Sequence, residues 1–224
     1  MEIAALYIYS YLMGSVPSAY LLGRLVKGVD IRGYGSGNVG GANIFRHVGK
    51  GWVVPLFVSE VLLKGASPVW IGRYLLGWDH SSTLLMAAPL LAIAGNNWSV
   101  FLRFQGGRGI AVTTGTLLAL SPLLMGAAIA VAVGGWAVSR SSGVWVLISL
   151  ALLPFCAVLL GDPGMISWYC TGLLLLIAFK RVLSNWTPLP KNLSKRKVLF
   201  NRLFRDRDVD DRADWVDRRP RGTK

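Results

Sequence analysis

Residues 29–50, VDIRGYGSGNVGGANIFRHVGK, have the composition of an anion site. Gly33, Gly35, Gly37, Gly40 and Gly41 fall within nine residues. Backbone without Cβ atoms turns tightly and brings N–H groups close to an oxyanion. Ser36, Asn38 and Asn43 add neutral hydrogen-bonding groups. Arg32 and Arg46 add guanidinium forks whose geometry matches phosphate oxygens. No Lys-Ser/Thr pair closes the run, so it is neither a nucleotide P-loop nor a dinucleotide fingerprint. A flexible connector would account for the glycines but not for Ser, Asn and Arg together. A phosphate-binding loop accounts for both.

A second segment, Phe104-Gln105-Gly106-Gly107-Arg108-Gly109, opens an apolar run. Gly-Gly at a helix amino end exposes N–H groups to an anion, the helix dipole favours negative charge there, and Arg108 supplies a full positive charge. A tight interhelical turn with an anchoring arginine would use the same residues. Lys64 lies midway along another apolar run, where an ammonium is costly unless paired. Glu60, four residues earlier, can share its helix face, and this pairing is preferred over a catalytic lysine. Arg73 is expected to reach outward along its stem. Asn96 and Asn97 need partners inside a bundle. At 180–185, Lys-Arg-Val-Leu-Ser-Asn follows the last apolar run, so Asn185 and Arg181 can reach the same site, or form only a basic stop. His47 and His80 are the only histidines, no Cys/His metal spacing occurs, and a Ser-His-Asp triad is poorly supported. No metal and no cofactor are expected.

The elements that must position these residues are membrane helices. The chain has 224 residues, of which 53% are hydrophobic and only 16% charged, with a formal charge of +13. Five acids precede residue 180: Glu2, Asp30, Glu60, Asp79 and Asp162. These values argue against a soluble enzyme, a disordered chain or a disulfide scaffold. Cys156 and Cys170 read as small apolar residues. A spanning helix needs about 20 apolar residues. Spans are read at 4–25, 52–76, 83–102, two within 110–138 divided at Ser121-Pro122, 144–160 and 165–179. The expected fold is therefore an all-α integral membrane protein, a seven-helix bundle. With seven spans the loops 77–82, 121–122 and 161–164 hold no Lys or Arg. The opposite loops hold Lys27, Arg32, Arg46, Lys50, Arg103, Arg108 and Arg140. The positive-inside rule then places the amino terminus outside and the carboxyl terminus in the cytoplasm. Residues 1–190 read as one polytopic membrane domain and 191–224 as a basic cytoplasmic tail. Leu193, Val198, Leu199, Leu203 and Phe204 among its basic residues fit either an interfacial amphipathic helix or a solvated arm. Alternating Asp and Arg from Asp206 onward read as a disordered end.

On these residues the chain resembles the bacterial acyl-phosphate:glycerol-3-phosphate acyltransferases, the PlsY family. The resemblance is carried by Gly14-Ser15-Val16-Pro17-Ser18-Ala19-Tyr20, Asp30-Ile31-Arg32, Gly35-Ser36-Gly37-Asn38, Gly40, Asn43, Arg46 and Gly49-Lys50. Lys64-Gly65, Gly95, Phe104, Gly106-Gly107-Arg108-Gly109 and Ala111 continue it. It implies a seven-helix enzyme of the cytoplasmic membrane that moves a fatty acyl group from acyl phosphate to the 1-hydroxyl of sn-glycerol 3-phosphate, giving lysophosphatidate and phosphate. It places critical roles on Ser36 and Arg46, glycerol-phosphate binding on Gly106 and Gly107, and the third motif's asparagine on Asn185. The chain departs from the family pattern at Asn96 and Val182, where histidines are common, at Ser99 for proline, and at Val61, with the acid displaced to Glu60.

The combined expectation assigns catalytic positions to Ser36, Asn43, Arg46 and Asn185. Substrate phosphates would be bound by Gly35, Gly37, Asn38, Gly40, Lys64, Gly106, Gly107 and Arg108. The expected partners are acyl phosphate, glycerol 3-phosphate and membrane lipid, with no nucleic acid. A monomer satisfies every feature, although sequence does not fix the oligomeric state. Two rival readings stay open at this point: an inactive paralogue or phosphate-ester transporter that keeps the cradle, and the same chemistry on another polyol phosphate.

Overall fold

The computed structural model describes residues 1–80, 82–185, 189–190 and 193–210. Among them the fold is all-α, with one isolated bridge, Ser99–Gln105. The helices are α1 Glu2–Ser15, α2 Ser18–Lys27, α3 Gly41–His47, α4 Lys50–Leu75, α5 Thr83–Asn97, α6 Ile110–Leu120, α7 Pro122–Ser139, α8 Ser142–Leu159, α9 Gly164–Leu183 and α10 at 195–205.

Each expected span contains a helix, but several boundaries move. The 4–25 segment is two helices because Pro17 has no N–H to continue α1 and restrains Val16. Helix α2 stops at Gly28, which takes φ +67° and donates its N–H to the Arg24 carbonyl at 3.0 Å. The 110–138 run divides at Ser121-Pro122. Ser121 caps α7 by accepting the Leu124 N–H at 3.3 Å and donates to Asp162 at 2.9 Å. Helix α9 runs four residues past its expected end at 179, because Lys180 and Arg181 find partners inside the protein and need not leave it.

Four helices, α4, α7, α8 and α9, are long and apolar enough to cross a membrane, while α5 and α6 are apolar but shorter. In α4 the backbone bonding widens over Glu60–Ala66, a distortion that often marks a functional site in a helix. The main core gathers Val69, Leu85, Ile93, Leu117, Leu153, Tyr169 and Leu173. A smaller core of Ala19, Ile31, Val39, Ile44, Val48, Leu56 and Leu102 lies under the glycine-rich loop. That loop therefore rests on its own apolar base and does not hang free.

Helices α4 and α6 meet backbone to backbone. A Cβ on Gly65 would lie 2.7 Å from the Gly115 Cα, and one on Gly115 would lie 2.9 Å from the Gly65 Cα. Small residues allow such crossings in apolar surroundings, where packing replaces the hydrophobic drive between helices. The crossing also fixes Lys64 beside the site.

Helix α10 folds back on the bundle. Val198 and Asn201 are buried, Arg202 pairs with Asp208 at 2.6 Å, and Arg181 donates to the Leu203 carbonyl at 3.0 Å. Leu199, Phe200 and Phe204 stay exposed. The expectation of a disordered end falls mainly on 211–224, outside the described residues. Gly65→Val is expected to lower the thermal unfolding midpoint in detergent, because overpacking costs about 1–3 kcal/mol. Gly126→Val, where a Cβ would meet nothing within 4 Å, serves as the control.

Candidate functional site

A cavity of about 610 Å³ opens between the glycine-rich loop, the amino end of α6, the α7–α8 turn and the tail. The first loop contributes Ser36, Asn38, Gly40, Asn43 and Arg46. Its shape is set by Asn43, whose buried amide Nδ2 faces the carbonyls of Ile31 (3.3 Å), Tyr34 (3.0 Å) and Asn38 (2.9 Å). Asn43 thus holds the loop closed from inside. Ser36 Oγ accepts the Asn38 N–H at 3.3 Å, which leaves its own proton to donate. Asn38 Oδ1 is buried with no hydrogen-bond partner. Arg46 is exposed on α3 and lines the cavity. Gly35 and Gly37 take φ +50° and +70°, which supplies the turn, but they do not line the cavity.

Arg32, read as a phosphate fork, is committed elsewhere. Asp30 binds it at 2.6 Å and Arg24 at 3.4 Å, and both guanidiniums lie over the Tyr20 ring. The side-chain hydrogen bond from Arg32 holds the Asp30 carboxyl below the usual carboxylate range, against the opposing effect of burial.

The Gly-Gly turn also differs from the simple expectation. The Gly106 N–H is given to Asn185 Oδ1 at 3.1 Å, and the Gly107 N–H to the Asn96 carbonyl at 3.0 Å. Neither is therefore available to an anion. Their lack of side chains serves close packing instead: a Cβ on Gly107 would sit 2.7 Å from the Val39 carbonyl of the first loop. Helix α6 begins directly after, with Gly109 at φ +73° and no side-chain cap, and Gly109, Ile110 and Ala111 line the cavity. The positive end of a helix faces the space where an anion would sit. Arg108 lines the cavity, donates to the Lys180 carbonyl at 3.1 Å and lies 2.7 Å from Asp206.

Asn185 joins these parts. Oδ1 accepts from Gly106 N–H and from Lys180 Nζ (2.8 Å), while Nδ2 donates to the carbonyls of Gly106 (3.1 Å) and Gly37 (3.3 Å). With both ends of its amide engaged, Asn185 is a positioning residue, and it does not line the cavity. Lys180 is fully buried, also donates to the Asn97 carbonyl, and lies over the Trp98 ring at 5.3 Å. Lys64 pairs with Glu60 at 3.0 Å and reaches Asn96 Oδ1 at 3.4 Å. Glu60 and Asn96 line the cavity, while Lys64 lies behind them.

Arg181, which its sequence position places within reach of the site, and three arginines that sequence reasoning passed over complete the wall. Arg140, Arg181, Arg205 and Arg207 line it, so six arginines and two carboxylates, Glu60 and Asp206, surround the space. Both carboxylates lie in ion-pair contact. Among the described lining residues positive charge is therefore in excess, a field that favours anions. The only signal for Arg140 was its charge, which the positive-inside rule already explained, whereas Arg181 was signalled by its place at the end of the last apolar run.

The family described as Glycerol-3-phosphate acyltransferase matches residues 4–189. Glycerol-3-phosphate acyltransferase 4 of Dehalococcoides mccartyi (strain CBDB1) is 37% identical over 218 residues, covering 93% of this chain and 90% of that protein. Glycerol-3-phosphate acyltransferase of Desulforudis audaxviator is 43% identical over 155 residues, 69% of this chain and 75% of the relative. The crystal structure of PlsY (YgiH), an integral membrane glycerol 3-phosphate acyltransferase, in its glycerol 3-phosphate form, superposes with a TM-score of 0.75 at 28% identity. It covers 81% of this chain and 88% of that one. Its lysophosphatidic acid form gives 0.73 at 27%, with the same coverage.

Two outcomes follow. Asn185→Leu strands Lys180, the Gly106 N–H and two carbonyls, and unmade buried hydrogen bonds cost about 1–3 kcal/mol each. The variant is expected to unfold at lower temperature and to be cut by protease within 29–50. A lowered carboxyl pKa gives stability that is present above the ordinary carboxylate range and lost as pH falls through the lowered value. Protection of 29–50 from protease is therefore expected to fall on acidification in the parent, and Asp30→Asn to be less protected at neutral pH and less sensitive to acid.

Proposed function

We infer that this chain, which belongs to the glycerol-3-phosphate acyltransferase family, moves a fatty acyl group from acyl phosphate to the 1-hydroxyl of sn-glycerol 3-phosphate. The observation that carries this reading is the arginine-lined cavity bounded by the Ser36-to-Arg46 loop, Arg108 and the amino end of α6. Both substrates are phosphate anions and so is the leaving group. Ser36, Asn38 and Arg46 face the cavity and hold one phosphate. Arg108 and the amino end of α6 hold the other. Asn43, Asn185, Gly106 and Gly107 fix the two halves, and Lys64 keeps Glu60 neutralised at the back of the site.

In the reaction the acceptor hydroxyl oxygen bonds to the acyl carbon, the acyl–phosphate C–O bond breaks, and phosphate leaves with the electron pair. A mixed anhydride is already activated, so no enzyme-bound acyl intermediate is needed. A phosphate oxygen takes the hydroxyl proton: no histidine lines the cavity among the described residues, and its two carboxylates lie in ion-pair contact with Lys64 and Arg108. The chain's contribution is orientation and fixed positive charge where negative charge develops.

The proposed membrane arrangement is the seven-span one, with the amino terminus outside, the tail cytoplasmic and the cavity opening to the cytoplasm. Helix α6 bears on the depth of the cavity in that arrangement: eleven residues from the cavity to Ser121 rise only about 16 Å, about half of an apolar core about 30 Å thick. The cavity floor would then lie deep enough to meet an acyl chain held in lipid. Irregular backbone at that depth needs internal partners, which Asn185 and the Asn96 carbonyl supply.

Purified protein in detergent, given palmitoyl phosphate and labelled glycerol 3-phosphate, is expected to form labelled lysophosphatidate and release phosphate. Ser36→Ala and Arg46→Ala are expected to cut kcat/KM by about 100-fold or more, as loss of a preorganised donor does. Folded protein that binds glycerol 3-phosphate but forms no lysophosphatidate would overturn the reading.

A further inference from the structure

The tail reaches into the site from outside the family-matched region, which ends at residue 189. Helix α10 anchors it. Arg202 is buried against Asp208 at 2.6 Å and donates to the Val182 carbonyl at 3.3 Å, while Asn201 donates to Asp210 at 3.0 Å. A Cβ on Gly143 would lie 2.7 Å from the Arg205 carbonyl, so the tail backbone lies directly on the start of α8. Between these anchors Asp206 takes φ +57°, an uncommon conformation for a residue with a side chain. Its carboxylate points at Arg108.

That contact has an unusual quality. The Asp206 Oδ1 lies 2.7 Å from Arg108 Nε, yet neither atom forms a hydrogen bond with correct geometry, although both are buried. The contact is one of charge without a well-aligned N–H. A phosphate dianion carries more charge and more acceptor oxygens than a carboxylate and can align with the guanidinium fork. A fixed carboxylate beside an arriving dianion would in turn repel it in surroundings that screen charge weakly.

We propose that Asp206 occupies the place of a substrate phosphate on Arg108 in the empty enzyme and is displaced when that phosphate binds. The tail is then part of the substrate site, and Asp206 sets its affinity. This rests on the phosphate-cavity reading above. Arg205 and Arg207, which flank Asp206 and also line the cavity, stay at the rim as the carboxylate withdraws. The anchors at Arg202 and Asn201 keep the movement local to the turn.

The test is titration of the full-length, detergent-solubilised protein with glycerol 3-phosphate, and separately with inorganic phosphate, in the parent and in Asp206→Asn. The substitution keeps size and removes charge. The expected result is a Kd lower by about tenfold in the variant, as removal of one nearby like charge in a poorly screened site predicts. Hydrogen exchange of the parent at 206–210 is expected to become faster when phosphate is added. Unchanged or weaker binding in Asp206→Asn would overturn the proposal, weaker binding making Asp206 a support for Arg108. Slower exchange at 206–210 with phosphate would overturn it too, since the tail would then close on the ligand. Acyl transfer separates this from the broader reading. If the parent forms lysophosphatidate and Asp206→Asn shows no fall in KM, only the Asp206 proposal fails. If no lysophosphatidate forms but the variant binds glycerol 3-phosphate more tightly, the acyltransferase reading fails and Asp206 stands as the competing anion.

Discussion

A primary amide offers two donor hydrogens and an oxygen with two lone pairs, and Asn185 uses all four. Its partners are the two backbone groups of Gly106, the Gly37 carbonyl and the Lys180 ammonium, so one side chain joins the end of α9 to segments 79 and 148 residues away. These connections are partly buried, so each is worth more than on an open surface and each omission costs more. Two walls of the cavity, the glycine-rich loop and the start of α6, are kept in register with the end of α9 by this amide. Lys180 belongs to the same arrangement. Its charge is buried and met by two oxygens and the face of Trp98, and its backbone carbonyl receives Arg108.

Depth imposes the second constraint. In the proposed membrane arrangement an eleven-residue helix would leave the turn before it far from either apolar boundary, where polar backbone must be satisfied within the protein. This explains why the Gly106 and Gly107 N–H groups are spent on Asn185 and Asn96 and are not offered to a ligand. The glycines are required for approach: the Val39 carbonyl and the Asn97 backbone leave no room for a side chain at either position. What faces the cavity is the uncapped end of α6 and the arginine beside it. The same pressure appears at Lys64, whose charge is cancelled by Glu60 within one helix so that both can remain buried.

Sequence patterns carried the helix positions well, because each apolar run is long and its interruptions have strong local causes. Ser121-Pro122 ended one helix and began the next as its residue types demand, and Glu60 with Lys64 paired as their spacing allows. The cleavage of the first segment at Pro17 was overlooked because apolar content hid the proline. The glycine-rich loop was legible as one wall of a site, but not the division of labour within it. Asn43 faces inward and Arg32 is held by Asp30, and both depend on which side of the loop packs on Ile31 and Ile44. The inward turn of Lys180 and the 205–207 turn were illegible for another reason, while Arg181 was legible only through its place at the end of the last apolar run. A basic residue at a membrane boundary has a sufficient topological explanation, and nothing local distinguishes one that turns inward.

A charge of +13 therefore divides into kinds that composition cannot separate. Arg32 and Arg202 are neutralised by Asp30 and Asp208, and these pairs hold a loop and a helix in place. Arg181 spends its hydrogen bonds on the carbonyls of Gly143 and Leu203, joining α8 to α10 while its charge still reaches the cavity. Arg46 is spent on neither, exposed at the mouth with its fork directed to no carboxylate among the described residues. The proposed site for two phosphates would need both sorts. The structural pairs and the bonds to carbonyls give rigidity, and the field of the remaining arginines then acts on the substrates without having to reorganise first.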